Sequence, residues 1–377
     1  MIKRMYVDNF RCLSNFEFKV GEDKNALFLG ENGAGKSSLL KILSILKKIA
    51  YGNSGLADKD KNKGGLTKED YGFAGTKKPI VFEIDIEISH CLFTYGIWIE
   101  YPETFFKPRI KKEQLFADGK PCFTRNLADI SVGKAEFSLD WHIAALPIIQ
   151  AHPTDPVNTF RDWLKNMLLM APVPAQIKGE TDESDDIALD LQASNFVSWL
   201  SGILGQYPHL YGNMAKYIKE LLPDFGHFIF LDIGKNSREL KLVFEKNGGE
   251  FFIPFEKLSD GEKLLFLSGA VFAIAQSRKN VFCFWDEPNN YISASLLDGF
   301  IRKMLNCFKQ NDGQLWVVSH NIEIITGFND DNSWIFRRNG HTDATLPLQT
   351  IAEFRKARNY TGNLTTALLT GDIYDAE

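Results

Sequence analysis

The sequence has no apolar run long enough to cross a lipid bilayer, which takes about 20 residues. Its first ten residues, Met1 to Phe10, contain no apolar core of the kind that a secretory signal needs. Cysteine is scarce: the five cysteines form no Cys-x-x-Cys pair and stand at no zinc-finger spacing to a histidine. These absences argue against a secreted, membrane-spanning or zinc-stapled protein, and we expect a cytosolic protein with reduced thiols.

Neither sign of charge dominates, since the formal net charge is −5 and the pI is near 5.9. The chain as a whole is therefore not an electrostatic nucleic-acid binder. Short basic clusters occur at residues 107–112, 337–338 and 355–358. We interpret them as solvated faces, with a nucleic-acid or partner contact as the alternative. The charged and apolar fractions are ordinary for globular proteins, which excludes a disordered or coiled-coil chain.

Apolar periodicity gives a coarse map of the chain. It predicts three strands in the first thirty residues, then a helix from Lys36 to about Tyr51. Residues 79–150 alternate like an antiparallel meander, and residues 154–225 have helical spacing. Later strands alternate with helices, as in a parallel sheet. We therefore predict an α/β fold with a mixed sheet, divided into an N-terminal lobe (1–150), a helical insertion (151–226) and a C-terminal lobe (227–377).

Residues 30–37 read Gly-Glu-Asn-Gly-Ala-Gly-Lys-Ser and match the pattern G-x-x-x-x-G-K-[ST] of a phosphate-binding loop, or P-loop. A predicted buried strand precedes it and an amphipathic helix follows. In such a loop, backbone N–H groups surround the phosphates, Lys36 reaches the β- and γ-phosphates, and the Ser37 hydroxyl ligates Mg²⁺. The predicted nucleotide-binding residues are Gly30, Asn32, Gly33, Ala34, Gly35, Lys36, Ser37 and Ser38.

A second apolar run, Val281–Trp285, is a predicted buried strand that ends in two carboxylates, Asp286 and Glu287. Placed beside the P-loop strand, Asp286 would hold the Mg²⁺ water shell and Glu287 would act as general base on the attacking water. An apolar strand that ends in Asp-Glu is common by itself. The P-loop in the same chain makes the catalytic interpretation the preferred one.

Two further segments surround this strand. Ser259-Asp260-Gly261-Glu262 opens a predicted helix before it, and by itself this segment is a good helix N-cap with a capping box. His320 follows the predicted strand Leu315–Ser319. A lone histidine at such a place is more often structural, so its role depends on the other segments.

In content and order, these segments resemble the RecF/SMC-type branch of the ABC ATPases. The sequence contains no long heptad run for coiled-coil arms, and it is most similar to the small AAA-labelled ABC ATPases of bacterial anti-phage defence systems. The resemblance is specific over roughly residues 1–50 and 250–340. It implies an ABC-type P-loop NTPase fold in which ATP and Mg²⁺ lie between the P-loop of one chain and Ser259-Asp260-Gly261-Glu262, the signature segment, of a second chain.

The resemblance also implies roles for single residues. His320 contacts the γ-phosphate and the attacking water, which gives a catalytic set of Glu287, His320 and Lys36. Arg11, in the opening Asn-Phe-Arg segment, and Asn32 lie near the nucleotide. Gln114 is the candidate for a Mg²⁺-ligating glutamine, so that the predicted metal ligands are Ser37, Asp286 and Gln114; an ordinary strand end is the alternative for Gln114.

Two departures from the family pattern bear on function, and the first is the open assignment of the glutamine at Gln114. After Asp286-Glu287-Pro288 that group often continues Glu-Asn-x-Leu-His-Pro, whereas this chain has Asn289-Asn290-Tyr291, so contacts of this loop across a dimer stay open. No nuclease signature follows His320. We expect an ATPase that forms a homodimer or higher homo-oligomer and regulates a separate nuclease or toxin in phage defence. A RecF-like ATPase that clamps DNA, and a scaffold that hydrolyses ATP too slowly to cycle, are the alternatives.

Overall fold

The chain forms two compact units. Unit 1 contains Met1–Met167 and Asn329–Glu377, and unit 2 contains Leu168–Phe328. The computed structural model describes all residues apart from 22, 53–55, 57–64, 104–106, 151, 182–187, 247, 361, 363–370, 372 and 374–377.

Unit 1 combines a large antiparallel sheet with a small group of strands and helices. Its elements are β1 Ile2–Asp8, β2 Phe16–Lys19, β3 Ala26–Gly30, α1 Lys36–Tyr51, β4 Ile80–Ile88, β5 Cys91–Glu100, β6 Arg109–Ala117, β7 Lys120–Asn126, β8 Asp129–Val132, β9 Ala135–Ser138, α2 Pro156–Lys165, β16 Ser333–Phe336, β17 Gln349–Thr350 and α8 Ile351–Arg358.

The large sheet has eight strands in the order β2-β1-β4-β5-β6-β7-β8-β9, and every neighbouring pair is antiparallel. The predicted meander over residues 79–150 is thereby confirmed. Alternate residues face the two sides of the sheet. In β4, for example, Phe82, Ile84 and Ile86 are buried, whereas the residues between them are half-buried. One face of the sheet thus carries the apolar core of unit 1.

A buried ion pair interrupts this apolar face. Glu113 and Arg125 have fully buried side chains, with 3.8 Å between Arg125 Nη1 and Glu113 Oε2. Glu113 also accepts hydrogen bonds from the backbone N–H groups of Ala145 (2.7 Å) and Leu146 (3.0 Å). Burial raises the pKa of Glu113, although these backbone hydrogen bonds oppose the shift. The pair fastens the segment after β9 to the sheet.

Strand β3 and helix α1 lead into and out of the P-loop. All five residues of β3 are buried, and β3 pairs in parallel with β16. Helix α1 buries Leu39, Leu43 and Leu46 along one side and ends at Gly52, whose N–H donates to the Ile49 carbonyl oxygen. The predicted helix from Lys36 to about Tyr51 is confirmed.

Unit 2 consists of parallel strands, helices and a three-stranded sheet. Its elements are β10 Leu168–Met170, α3 Phe196–Gln206, α4 Leu210–Leu221, β11 Phe225–Asp232, β12 Arg238–Lys246, β13 Gly249–Pro254, α5 Asp260–Ser277, β14 Phe282–Asp286, α6 Ala294–Gln310, β15 Gln314–Val318 and α7 Ile322–Ile325.

Strand β14 lies between two parallel neighbours, β10 and β15. The predicted strands over residues 281–285 and 315–319 are confirmed to within one residue. The prediction of helices over residues 154–225 is confirmed for α2, α3 and α4 and was wrong between α2 and α3, where Leu168–Met170 is strand β10 and the described residues of 171–195 contain no α-helix. Three buried residues are too few to show a strand period in the sequence, so the pairing with β14 decides their conformation.

Helix α5 is the central helix of unit 2. It buries most of its length, including Leu264, Phe266 and Val271, so its apolar residues are not confined to one side. Phe266 packs edge-on against Phe225 and Phe228 of β11, which joins the helix to the three-stranded sheet. Among the described residues, no helix is long and apolar enough to cross a membrane.

Candidate nucleotide-binding and catalytic site

The backbone of the P-loop requires glycine at two points. Gly30 ends β3 with φ of +148°, and a Cβ atom there would lie 2.4 Å from the Phe336 carbonyl oxygen. Gly35 precedes α1 with φ of +116°, and a Cβ atom there would lie 3.0 Å from the side chains of Leu13 and Thr345. Both positions therefore exclude larger residues. The loop between them leads from a buried strand to a helix N-terminus, which is the geometry that binds phosphate.

Lys36 lies at the start of α1 with its side chain folded into the loop. Its ammonium group donates to the carbonyl oxygens of Gly30 and Glu31, the latter at 3.0 Å. Lys36 is buried, as are Ala34, Gly35 and Ser38, whereas Asn32 and Ser37 are exposed. Asn32 and Ser37 are thus open to solvent, whereas the Lys36 ammonium group has to leave its carbonyl partners before it can meet a phosphate.

Two residues from the segment after β16 hold the outer side of the loop. Arg338 Nη1 donates to the Gly33 carbonyl oxygen (3.1 Å), and the Thr345 hydroxyl donates to the Ala34 carbonyl oxygen (2.8 Å). The Thr345 amide in turn donates to the Cys12 carbonyl oxygen (2.8 Å). The sequence marked Arg338 only as part of the basic cluster 337–338, and neither Arg338 nor Thr345 was predicted to contact the loop, because both are more than 300 residues away from it along the chain.

Arg11 is fixed by a buried carboxylate, Asp70. Its Nε lies 2.9 Å from Asp70 Oδ1, and Lys41 Nζ of helix α1 lies 2.7 Å from the same oxygen. Burial alone would raise the pKa of Asp70, but the hydrogen bonds from Lys41, the Thr67 amide and Arg11 lower it below its usual value. Asp70 therefore stays ionised and ties Arg11 to the P-loop helix. Asp70 was not predicted from the sequence. The capping box Thr67-x-x-Asp70 is a local pattern that could have indicated an ordered turn there.

Gln114 lies in the middle of strand β6, where its register partners are Gly96 of β5 and Thr124 of β7. It is half-buried, between the buried residues Glu113 and Leu115 of the apolar face. Gln114 thus belongs to a paired strand rather than to a loop. Its assignment as a Mg²⁺ ligand stays a prediction.

In unit 2, the chain turns sharply after β14. Asp286 ends the strand opposite Val318, and the next residue, Glu287, has a left-handed backbone with φ of +50°. The Glu287 amide donates to the Val318 carbonyl oxygen at 2.8 Å. A left-handed conformation is uncommon for glutamate and turns the chain away from the sheet. The carboxylate of Glu287 lies 3.9 Å from His320 Nε2, so the structure brings these two predicted catalytic residues together.

The signature segment opens α5 as predicted from its capping pattern. The Ser259 side chain accepts from the Glu262 amide, and the Glu262 carboxylate accepts from the Ser259 amide at 2.8 Å. Gly261 lies against the turn after β14, since a Cβ atom there would lie 2.5 Å from the Tyr291 carbonyl oxygen. Tyr291 is 59% exposed and also has a left-handed backbone, with φ of +71°. Within unit 2, the signature helix and the Glu287 turn are thus in direct contact.

The predicted metal ligands suit Mg²⁺ in chemistry. Ser37 offers a hydroxyl, Asp286 a carboxylate and Gln114 an amide oxygen, and Mg²⁺ prefers oxygen ligands, keeping several waters and binding the phosphates of its nucleotide. Among the described residues, there is no cluster of three or more histidine, cysteine, aspartate or glutamate side chains that could cage a metal by itself. Each of these three donors, taken by itself, is thus of a type that Mg²⁺ accepts.

Comparison with known proteins adds a family and a fold. The family described as "AAA domain, putative AbiEii toxin, Type IV TA system" matches residues 26–326. No curated protein sequence matches the chain.

Two solved structures illustrate the fold. A crystal structure of an SMC head bound to the C-winged-helix domain of ScpA is 15% identical to this chain, over 95% of this chain and 99% of that one, with a TM-score of 0.56. An SMC head with an extended coiled coil, bound to the C-terminal domain of ScpA derived from Pyrococcus furiosus, is 13% identical over 95% and 98%, with a TM-score of 0.55. At these identities the likeness concerns the fold alone, and the predicted ABC-type P-loop fold is confirmed.

Proposed function

The chain belongs to this AAA-domain family, and from that premise we propose that it binds and hydrolyses ATP with Mg²⁺ as cofactor. The observation that carries the proposal is the P-loop: glycine-dependent turns at Gly30 and Gly35, between a buried strand and a helix N-terminus, with Lys36 folded into the loop. Such a loop presents several backbone N–H groups and a lysine ammonium to one anion.

ATP binding uses residues of unit 1. The triphosphate accepts hydrogen bonds from the backbone N–H groups at the start of α1, and Lys36 exchanges its carbonyl partners for phosphate oxygens. Arg11, held on Asp70, supplies a second positive charge. Mg²⁺, when bound, neutralises developing negative charge on the phosphates, and we assign Ser37 and Asp286 as its protein ligands, with Gln114 as a further candidate.

Hydrolysis uses residues of unit 2. Glu287 accepts a proton from the attacking water as general base, and His320, 3.9 Å from Glu287, donates a hydrogen bond to the γ-phosphate or the water. The left-handed backbone at Glu287 is supporting evidence, because strained conformations persist where the surroundings hold a residue in a particular orientation.

We further propose that two copies pair head to tail around two ATP molecules. The exposed Ser259 and the N-terminus of α5 form an anion-binding helix end of the kind that faces a γ-phosphate. ATP binding then closes the pair and hydrolysis opens it, which makes the γ-phosphate the switch of a two-state element.

The role of this cycle rests on the family and on the resemblance of the sequence. We propose that the chain is a cytoplasmic sensor or regulator that holds a separate nuclease or toxin in check during phage defence. The toxin–antitoxin system in the family's description supports a second protein.

The ATPase proposal is tested with Lys36→Ala in the full chain, beside Lys48→Ala from the last turn of the same helix as the matched control. We expect ATP binding and ATP turnover in the wild type and in Lys48→Ala, and loss of both in Lys36→Ala. Unchanged nucleotide affinity in Lys36→Ala would remove the P-loop assignment.

The regulatory role is tested by affinity purification of the Glu287→Gln chain from its host with ATP and Mg²⁺, followed by mass spectrometry and nuclease digestion. A stoichiometric nuclease or toxin supports the role. DNA without a protein partner contradicts it and supports a DNA-clamping ATPase instead.

A further inference from the structure

Glu287 and His320 lie on two segments that leave the sheet side by side. Strands β14 and β15 are parallel, with Asp286 opposite Val318, and the last ladder hydrogen bond runs from the Glu287 amide to the Val318 carbonyl oxygen. Beyond this point the backbone at Glu287 turns away from the sheet. Regular strand pairing therefore does not fix the distance between Glu287 and His320.

A pair of side chains makes the next connection between the two segments. The Ser319 hydroxyl donates to Asn289 Oδ1 at 2.6 Å. Ser319 is fully buried and Asn289 is half-buried, so water has limited access to this hydrogen bond. Each member of the pair is close in sequence to a predicted catalytic residue. Asn289 lies two residues after Glu287, and Ser319 lies directly before His320.

The hydroxyl of Ser319 makes two hydrogen bonds, one as donor and one as acceptor. While its single proton goes to Asn289, its oxygen accepts from the Asn321 amide at 3.0 Å. Asn321 in turn caps helix α7 by accepting from the amides of Glu323 and Ile324. His320 is thus held between two residues that are each fixed by hydrogen bonds.

The other segment is closed in a similar way. The Asn290 amide donates to the Glu287 carbonyl oxygen at 3.2 Å, and the Ile292 amide donates to the Asn289 carbonyl oxygen at 3.2 Å. Asn289 therefore belongs to a compact turn that contains Glu287. Its side chain is therefore linked to Glu287 through the hydrogen bonds of this turn.

We propose that Asn289 and Ser319 are a positioning pair that sets the distance between Glu287 and His320. The pair touches neither ATP nor the attacking water in this account, and it acts through the two catalytic residues. This inference rests on the proposed ATPase function and assigns it a further requirement: Glu287 and His320 act together only while the Asn289–Ser319 hydrogen bond holds their segments in register.

The test compares the full-length wild type with Asn289→Leu, Ser319→Ala and the double variant. Asn289→Leu keeps the side-chain size and removes the acceptor; Ser319→Ala removes the donor. We expect kcat to fall about tenfold to a hundredfold in each single variant, because small displacements of reacting groups are costly, with KM unchanged. We expect the double variant to be no slower than the slower single variant. Asn289→Asp keeps an acceptor oxygen and should hydrolyse ATP faster than Asn289→Leu.

A second measurement does not depend on turnover. In the protein with labelled histidines, we expect the imidazole resonances of His320 to shift alike in Asn289→Leu and Ser319→Ala, while those of the exposed His90 stay in place; His320→Gln provides the assignment. Wild-type kcat in Asn289→Leu, a double variant whose loss is the product of the single losses, or unmoved His320 resonances would each overturn the pair. If the wild type does not hydrolyse ATP, the proposed function is refuted. The His320 resonances then still test whether Asn289 and Ser319 position His320.

Discussion

The P-loop of unit 1 and the Glu287 turn of unit 2 are held in different ways. The P-loop is fastened from several sides: Lys36 binds its inner carbonyl oxygens, while Arg338 and Thr345 bind the carbonyl oxygens of Gly33 and Ala34. The Glu287 turn has left-handed residues at Glu287 and Tyr291, and side-chain support from the Ser319 hydroxyl.

This difference suits the P-loop to ligand binding and the Glu287 turn to catalysis. The hydrogen bonds from Arg338 and Thr345 hold the outer side of the loop while Lys36 changes partners, so less order has to be created when a ligand binds. The Glu287 turn, in contrast, combines left-handed residues with hydrogen bonds inside the turn and one from the Ser319 hydroxyl, so a small displacement there changes the position of Glu287. Changes in unit 1 should therefore affect affinity, and changes in the turn should affect turnover.

The largest effect should come from the base itself. In Glu287→Gln we expect ATP turnover to fall by about 10²–10⁴, because the water loses its proton acceptor, while ATP affinity stays that of the wild type. The matched control is Glu323→Gln, which removes the same charge from the first turn of α7 in the same unit. Turnover is measured by phosphate release and affinity by equilibrium binding; normal turnover in Glu287→Gln would exclude Glu287 as the base.

The next effect concerns the support of the P-loop helix. Asp70→Asn removes a buried carboxylate that accepts from Lys41 and Arg11, and should destabilise this part of unit 1 by about 2 kcal/mol. The expected result is faster hydrogen exchange in peptides from α1 and from residues 66–80, with peptides of unit 2 unchanged. Equal hydrogen exchange in the variant and the wild type would show that the ion pairs of Asp70 with Arg11 and Lys41 do not stabilise this part of unit 1.

The same carboxylate predicts a dependence on pH. Because the pKa of Asp70 is lower in the folded chain than its ordinary value of 3.8, its contribution is fully present above that pH. The contribution is lost as the pH falls through the folded-state pKa. The difference in exchange between wild type and Asp70→Asn should therefore be constant from pH 6 to 8, and a difference that grows in acid would contradict the assignment.

A smaller effect should follow from crowding the turn. Gly261→Ala places a methyl group 2.5 Å from the Tyr291 carbonyl oxygen, so the turn that carries Glu287 has to move. We expect about a tenfold loss of kcat with ATP affinity unchanged. Gly299→Ala in helix α6 is the control, because a Cβ atom there meets nothing within 4 Å. If Gly261→Ala and Gly299→Ala have the same kcat, the contact between the signature helix and the turn does not contribute to ATP hydrolysis.

The smallest effect is expected at the outer side of the P-loop. Thr345→Val removes the hydrogen bond to the Ala34 carbonyl oxygen, which is worth about 1 kcal/mol, and should weaken ATP binding up to about fivefold without changing kcat. Thr94→Val on the large sheet serves as the control. A variant that changes kcat and leaves the affinity alone would reverse the proposed division between the two regions.

The fold was largely predictable because its local signals are strong. Alternation in β4 and β5, the helical face of α1 and the capping box at Ser259 each depend on neighbouring residues, and each predicted element is present. Strand β10 escaped prediction, since its three residues become a strand only through their pairing with β14. Short elements of this kind are decided by tertiary contacts, which a periodicity of a few residues does not record.

The supports of the site were not predictable for a similar reason. Thr345 and Arg338 act on a loop that is more than 300 residues away in sequence. Thr345 has no distinguishing pattern, and the basic cluster 337–338 indicated only a solvated face or a partner contact. Residues that meet phosphate or water are constrained in type and spacing, so the P-loop and Asp286-Glu287 could be recognised. Residues that support the P-loop or the Glu287 turn need only a suitable position in the fold, which leaves no fixed residue spacing in the sequence.

The central claim, that two copies of the chain dimerise around ATP, is tested most directly by measuring whether ATP produces a dimer. Sedimentation velocity of Glu287→Gln, with and without ATP and Mg²⁺, measures this, beside Glu287→Gln combined with Ser259→Arg. We expect a dimer only with ATP and only when Ser259 is intact, while both proteins bind ATP. A chain that binds ATP and remains a monomer, or a dimer that survives Ser259→Arg, would contradict the claim that the ATP on one P-loop is completed by the signature segment of a second copy.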